Sequence, residues 1–243
     1  MSEAQMKSSG APLRVLGVFA HPDDPEFFAG ATFAKWAADG ADITFVVATS
    51  GDKGSSLPDM TSERLAAIRE DEERAAAAAL GVKEVVFLRY PDGELYPTLG
   101  LRRDITRMIR LKKPNIVVTL DPTVYWRAAG GINHPDHRAI GDATLAAVFP
   151  TARDRLNFIE HERDEGLATH KVATVYIAGA LEPTLSVDVT DTVAAQIESL
   201  RAHKSQIADM DKMAQRIRER SLDPGAPPEY PRHIERFRVI NMR

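Results

Sequence analysis

Apolar runs of strand length alternate with segments of helical periodicity through most of the chain. The first, second and fourth runs are almost continuously apolar, which is typical of strands buried on both faces of a sheet. The five runs that predict strands are 13–20, 42–49, 84–90, 115–120 and 172–179.

The segments between these runs predict helices. The predicted helices 26–39 and 62–80 are each followed by glycine, and 100–113 is followed by Pro114. Both residue types commonly end helices. The alternation therefore predicts an α/β fold, a Rossmann-like and mostly parallel sheet with helices on both faces.

The pattern changes after the fifth predicted strand. We expect a C-terminal extension of the same domain, which then spans 13–243, since 243 residues suit one domain. The polar residues 1–12 predict a disordered lead-in. The extension predicts, in order, a strand over 183–191, a helix over 192–208, a helical stretch to about 220, a proline-rich loop over 222–231 and a closing segment over 232–240.

Composition narrows the class of protein. The net charge of −4 argues against a nucleic-acid-binding surface. The first residues lack the apolar core of a signal peptide and no apolar run approaches membrane-spanning length, so we expect a cytoplasmic protein with no membrane partner. Because the chain has no cysteine, any metal must be held by His, Asp or Glu.

Candidate ligands follow predicted strand ends, where open sheets of this type bind their ligands. His21 and Asp24 follow the first strand, and a second His-Pro-Asp motif, ending in His137, begins the helix after the fourth. Residues three apart at a helix start share a face. His21, Asp24 and His137 therefore predict a catalytic site for Zn²⁺, with three protein ligands and an open position. Fe²⁺ or Co²⁺ suits the same donors.

The remaining polar residues of the two motifs predict catalytic roles. Asp23 is the candidate general base. His134 would stabilise a developing oxyanion or assist the leaving amine, and Asp136 would orient His134 by accepting its second ring hydrogen. Each motif alone also suits a turn or a helix cap, but two copies at strand ends of one sheet favour the metal site. The other four histidines predict surface or structural positions.

Two charged residues interrupt the apolar stripe of the helix at 62–80. Arg69 and Glu72 fall on or beside the predicted inward positions, which are Leu65, Ile68, Ala76 and Ala79. A structural ion pair between Arg69 and Glu72 and a contact with substrate explain the pattern about equally well.

These motifs together resemble the zinc-dependent N-deacetylases of the GlcNAc-phosphatidylinositol de-N-acetylase (PIG-L, LmbE-like) family. The resemblance rests on "AHPDD" at 20–24, "TSGDKG" at 49–54, the Arg69-to-Gly81 pattern, "PDG" at 91–93, "HPDH" at 134–137 and "HKSQ" at 203–206.

The resemblance implies hydrolysis of an N-acetyl group from an N-acetylglucosamine-containing small molecule. It assigns the metal to His21, Asp24 and His137, and places Arg69 and Asp92 against the sugar. Relatives commonly assemble as trimers or hexamers, so a homo-oligomer is an open expectation. An amidase acting on a larger acyl group or a thiol conjugate, and a non-catalytic binding module, are the alternatives. A dinucleotide-binding enzyme is disfavoured because no G-x-G-x-x-G follows the first strand.

The loop from Tyr125 to Asn133 is a further candidate for substrate binding. It leaves the fourth strand at the predicted site and carries two adjacent aromatic residues, Tyr125 and Trp126. We expect one of them to cover the substrate. The alternative is that they pack beneath the loop or in a subunit interface.

Overall fold

The computed structural model describes residues 12–126 and 130–242. All but the last residue of the predicted lead-in 1–12 therefore lies outside the described residues. The seven strands are β1 Arg14–Phe19, β2 Asp42–Thr49, β3 Glu84–Tyr90, β4 Ile116–Leu120, β5 Thr174–Ala178, β6 Leu185–Asp188 and β7 Ile234–Asn241. The described α-helices are α1 Asp24–Ala38, α2 Ser62–Ala79, α3 Leu99–Lys112, α4 Pro135–Ala146, α5 Glu160–Glu165, α6 Val193–Leu200 and α7 Met210–Ser221.

The strands form one mixed sheet in the order β3-β2-β1-β4-β5-β7-β6. The first five strands pair in parallel, and β7 pairs antiparallel with both β5 and β6. The predicted α/β fold with a mostly parallel sheet is confirmed. The strand order reverses direction between β1 and β4, which is the position where doubly wound sheets bind their ligands.

The central strands carry the core. β1, β2 and β4 are buried over nearly their whole length, as their continuous apolar sequence predicts. Helices α1 and α2 cover one face of the sheet, with α6 packed against both of them, and α3 and α4 cover the other face. The burial of each large aliphatic or aromatic side chain stabilises the fold by about 1.5–3 kcal/mol. This packing gives the strand ends a rigid frame.

The C-terminal extension differs in detail from its predicted form. The helix predicted over 192–208 ends at Leu200, and residues 201–206 form turns. His203 of this segment is fully buried and Ser205 bonds to α2, so tertiary contacts replace the last helical turns. Within the described residues, no helix is both long enough and apolar enough to span a bilayer.

Candidate metal centre and active site

Four loops meet at the carboxyl edge of the sheet beside the β1–β4 junction. They are the segments that follow β1, β2, β3 and β4, and each ends in or contains one of the sequence motifs. Parallel strands bring these loops together because all their carboxyl ends lie at one edge. The residues of the two His-Pro-Asp motifs are therefore neighbours in space.

His21, Asp24 and His137 form a compact buried set. One carboxylate oxygen of Asp24 lies 3.4 Å from Nδ1 of His21, and the other lies 3.1 Å from Nε2 of His137. One donor atom from each of the three side chains falls within 4.8 Å of the other two. Asp24 begins α1 and His137 lies in the first turn of α4, so two different helix starts supply the set.

The second nitrogen of each of these histidines is held by another side chain. Nε2 of His21 lies 3.1 Å from the carboxylate of Asp92 and 3.3 Å from that of Asp136. Nδ1 of His137 lies 3.2 Å from the side-chain oxygen of Asn133, whose amide nitrogen donates to the backbone of Val124. Oxygen partners of this kind fix the orientation of metal-binding histidines.

The nitrogens that remain, Nδ1 of His21 and Nε2 of His137, both face Asp24. Two imidazole nitrogens and one carboxylate are the donor set of a catalytic zinc site. The residues present therefore fit a divalent cation.

The charges around His21 support the same conclusion. Burial opposes protonation of His21, yet the carboxylates of Asp136, Asp24 and Asp92 raise its pKa to about 12. Burial likewise favours the neutral form of Asp24, but His137 and His21 hold its pKa well below the ordinary value. The three carboxylates thus favour positive charge at His21.

Asp136 has partners other than the one predicted from the sequence. Its fully buried carboxylate accepts hydrogen bonds from the backbone N–H groups of Gly93 (2.8 Å) and Leu95 (3.2 Å). The nearest approach between this carboxylate and Nδ1 of His134 is 3.9 Å, too long for a hydrogen bond. Asp136 therefore ties the loop after β3 to α4 and to His21, and does not accept a hydrogen from His134.

His134 is oriented by the backbone of its own helix. It is the N-cap of α4, and its Nδ1 accepts a hydrogen bond of 3.2 Å from the backbone N–H of Asp136. This leaves the ring hydrogen of the neutral form on Nε2. Burial, together with the nearby His21, lowers the pKa of His134. The side chain is thus a neutral hydrogen-bond donor at the cavity. The donor atoms of His21, His134 and Asp136 also lie close together, but the backbone bonds occupy two of these three side chains.

Asp23 points away from Asp24 because its backbone is left-handed, with φ 95°. Its N–H donates to Glu73 (2.9 Å), and its carboxylate accepts from Arg69 (3.0 Å). Burial raises the pKa of Asp23 to about 6, although Arg69 opposes the shift. A carboxylate with a pKa near neutral is suited to general-base work.

Arg69 connects the loops that follow β1 and β2. Its guanidinium donates to the backbone oxygens of Gly51 (3.0 Å) and Pro22 (2.6 Å) as well as to Asp23. Gly51 has φ +63°, and a Cβ there would lie 2.3 Å from the guanidinium, so any other residue would be strained and would displace Arg69. The alternative of an ion pair with Glu72 is wrong, because Glu72 accepts hydrogen bonds from the backbone and hydroxyl of Ser205.

One buried cluster was not predicted from the sequence. Nε2 of His203 lies 3.4 Å from the carboxylate of Glu26 and 3.9 Å from that of Glu73, and all three side chains are fully buried. Burial raises the pKa of Glu26 to about 8 and that of Glu73 well above its ordinary value. Their donor types suit a cation, but none of the three lines a cavity beside the site. The only signal was the "HKSQ" motif, whose role the sequence did not reveal.

A cavity of about 520 Å³ opens over the site and is of the size that binds small molecules. Arg69, Asp92 and His134 line it, but Tyr125 and Trp126 do not. Both aromatic side chains are exposed, Tyr125 by 54% and Trp126 by 70%. The guanidinium of Arg138 lies 4.2 Å above the ring of Tyr125. The substrate contact predicted for these aromatics stays a prediction.

Comparisons with known proteins identify the family of the chain. The model of the PIG-L family, described as GlcNAc-PI de-N-acetylase, matches residues 16–148. Diacetylchitobiose deacetylase of Thermococcus kodakarensis is 32% identical over 81% of this chain and 71% of its own length. The chain belongs to the PIG-L family, whose members are deacetylases.

Two further relatives support this assignment. A 1D-myo-inositol 2-acetamido-2-deoxy-alpha-D-glucopyranoside deacetylase of Kineococcus radiotolerans is 28% identical over 98% of this chain and 80% of its own length. The solved structure of N,N'-diacetylchitobiose deacetylase from Pyrococcus horikoshii, in complex with an inhibitor, superposes with a TM-score of 0.83. That similarity covers 94% of this chain and 84% of the other, at 29% identity.

Proposed function

We propose that the chain is a metal-dependent deacetylase that hydrolyses the N-acetyl group of an N-acetylglucosamine-containing small molecule. The observation that carries this proposal is the convergence of His21, Asp24 and His137 beside a general base, Asp23, in a chain of the PIG-L family. The relatives named above act on diacetylchitobiose and on a GlcNAc-inositol. Both are small molecules that carry an N-acetylated amino sugar.

His21, Asp24 and His137 would hold the cation, with Zn²⁺ as the first choice. When bound, such a cation acts as a Lewis acid that polarises the acetyl carbonyl and acidifies the attacking water. Asp92, Asp136 and Asn133 keep the histidine rings in the required orientation.

The proton transfers use residues on either side of this set. Asp23 accepts the proton of the attacking water as the oxygen–carbon bond forms. Arg69 holds the carboxylate of Asp23 in place. Nε2–H of His134 donates a hydrogen bond to the developing oxyanion, a type of contact whose removal costs about 10²–10³-fold in turnover. The proton on Asp23 then passes to the departing nitrogen as the carbon–nitrogen bond breaks. The products are acetate and a free amino sugar.

Arg69 and Asp92 line the cavity and are our proposed sugar contacts.

The test is acetate and amine release from a panel of N-acetylglucosaminides, with metal analysis of the same preparation. We expect activity that a chelator removes and that Zn²⁺, Fe²⁺ or Co²⁺ restores to differing extents. N-propionyl and longer acyl analogues in the same panel distinguish a deacetylase from an amidase for larger acyl groups. A metal-loaded, folded protein that releases no amine from any member would contradict the proposal.

A further inference from the structure

The cavity over the metal centre is continuous in its lining with a second cavity of about 440 Å³. His137 borders both, so the second cavity begins beside the metal ligands. The residues that the two cavities share are Phe27, Phe28, His137, Arg216 and Arg220. Together they form a groove, which runs from the metal centre between α1 and α7 toward β7.

The cations of this groove differ in what they already contact. Four line the cavity over the metal centre, and three of them have partners. Lys53 pairs with Glu94, Arg69 pairs with Asp23, and Arg220 donates to the backbone oxygen of Phe27. Arg216 makes no hydrogen bond or ion pair with any residue that the structure describes. Arg216 is therefore the available cation at the junction of the two cavities.

The carboxylates of the second cavity do not offset this charge by pairing with Arg216. Asp121 accepts hydrogen bonds from the backbone and hydroxyl of Thr123. Glu235 accepts from the backbone N–H groups of Ala31 and Thr32, one on each oxygen. Arg236 adds a further cation to the same lining. The second cavity thus carries three arginines, Arg216, Arg220 and Arg236, beside two carboxylates whose oxygens are bonded elsewhere.

We propose that this groove binds the aglycone of the substrate, and that the aglycone carries an anionic group, a carboxylate or a phosphate, which pairs with Arg216. This inference rests on the proposed function. The acetamide must reach His21 and Asp24, and the aromatic rings of Phe27 and Phe28 then lie along the sugar. A guanidinium recognises carboxylate and phosphate oxygens through charge-assisted hydrogen bonds.

Three substrates test this proposal with the metal-loaded enzyme. They are methyl N-acetylglucosaminide, the matching glycoside of glycolic acid, and N-acetylglucosamine 1-phosphate. We expect a higher kcat/KM for at least one of the two anionic substrates than for the methyl glycoside, and a preference that shrinks as salt is added. The ratio between the two anionic substrates distinguishes a carboxylate from a phosphate.

Arg216→Gln should raise KM for the preferred anionic substrate by about 10- to 100-fold, the range for a lost hydrogen bond to a charged group. The methyl glycoside should be turned over as before. Arg218→Gln is the matched control, since Arg218 is exposed on the same helix and lines neither cavity.

The outcomes separate this proposal from the proposed function. Equal kcat/KM for the three substrates, or an equal effect of Arg216→Gln on all of them, would overturn the anionic aglycone and leave the deacetylase standing. No acetate from any of the three would contradict the deacetylase itself.

Discussion

Adjacent aspartates in this site have different contacts because their backbones differ. Asp24 starts a helix and faces both histidines, whereas Asp23 is held in a left-handed conformation and faces Arg69. A non-glycine residue in this region of backbone space is under strain, which tertiary contacts must offset. Here the contacts come from Glu73 and Arg69.

This division gives a prediction for two neighbouring substitutions. Asp23→Asn should retain the metal and lose about 10²–10⁴-fold in turnover, the usual contribution of a general base. Asp24→Asn should lose metal affinity, as should His21→Ala and His137→Ala. Metal analysis and kinetics on the same preparations check both, and exchanged phenotypes would reverse the assignment.

At the scale of single residues, the sequence predicts which side chains meet at the candidate metal centre better than it predicts the partners that hold them. His21, Asp24 and His137 lie in two short motifs, and spacing within a motif is local information. Glu73 contacts the backbone of Asp23 across 50 positions, and no pattern near either residue indicates that pairing. The same limit explains Asp136, whose hydrogen-bond donors come from a loop more than 40 positions away.

On the scale of elements, side chains of α2 hold the loops that follow β1 and β2 in place. Two successive turns of this helix present Arg69, Glu70 and Glu73 inward. Arg69 and Glu73 both contact Asp23, and Glu70 bonds to Ser50 and Arg89. Of the inward positions predicted from periodicity, Leu65 and Ala76 are buried, but Ala79 is exposed. The apolar pattern predicts the inward face of this helix incompletely, because buried charged side chains occupy much of that face.

The strands were predictable and the C-terminal elements less so. β1, β2 and β4 are apolar throughout because both their faces are covered. β7 alternates buried and exposed residues and reaches its place between β5 and β6 only through tertiary pairing. Nothing local to its sequence specifies that position.

Glu70 should make the stability of the fold depend on pH. It links α2 to the ends of β2 and β3 through Ser50 and Arg89, and Arg74 bonds to it as well. Arg89 is the main cause that lowers the pKa of Glu70 to about 2. A lowered pKa stabilises the fold above the ordinary value of about 4.5, and this contribution is lost as the pH falls toward 2.

Glu70→Gln should therefore lower Tm at pH 7 and have a smaller effect near pH 3. Thermal melts of both proteins across this range test the prediction. Asp71→Asn is the control, because Asp71 is exposed and its ion pair with Arg74 lies at the surface. An equal difference in Tm at both pH values would contradict it.

Glu73 should act on turnover through the backbone of Asp23. Glu73→Gln keeps an oxygen that accepts the N–H of Asp23, so we expect kcat within a few-fold of wild type. Glu73→Ala leaves that N–H without its acceptor and frees the strained backbone. A misplaced base of this kind costs up to about 10²-fold in kcat. KM and metal content of both Glu73 variants should equal those of wild type.

The control for this pair is Glu72→Ala, which removes a neighbouring carboxylate that bonds to Ser205 and not to Asp23. Circular dichroism and melting temperature establish which variants fold. A folded Glu73→Ala protein with wild-type kcat would show that Arg69 alone positions the base.

The molecule as a whole places its chemistry at one edge of the sheet and leaves an apolar surface beside it. Trp126 is bridged to Ile132, and these side chains are 70% and 76% exposed. Exposed apolar side chains that lie together commonly mark an interaction surface. Trp126 is largely exposed, and contact with substrate and contact with another subunit are the two explanations that we test.

We predict that Trp126, which lies outside the lining of both cavities, covers the part of the substrate that extends out of them. Trp126→Ala should then raise KM for a glycoside substrate while kcat falls less, because a contact present in both ground and transition states contributes to binding alone. Metal content, Tm and native mass should be unchanged. Tyr230→Ala is the matched control, since Tyr230 is an exposed aromatic that lines neither cavity. A lower Tm or a smaller native mass, with KM unchanged, would instead place Trp126 in a subunit interface. Kinetics, melting temperature and native mass on one preparation decide between these explanations, since each predicts a change that the other does not.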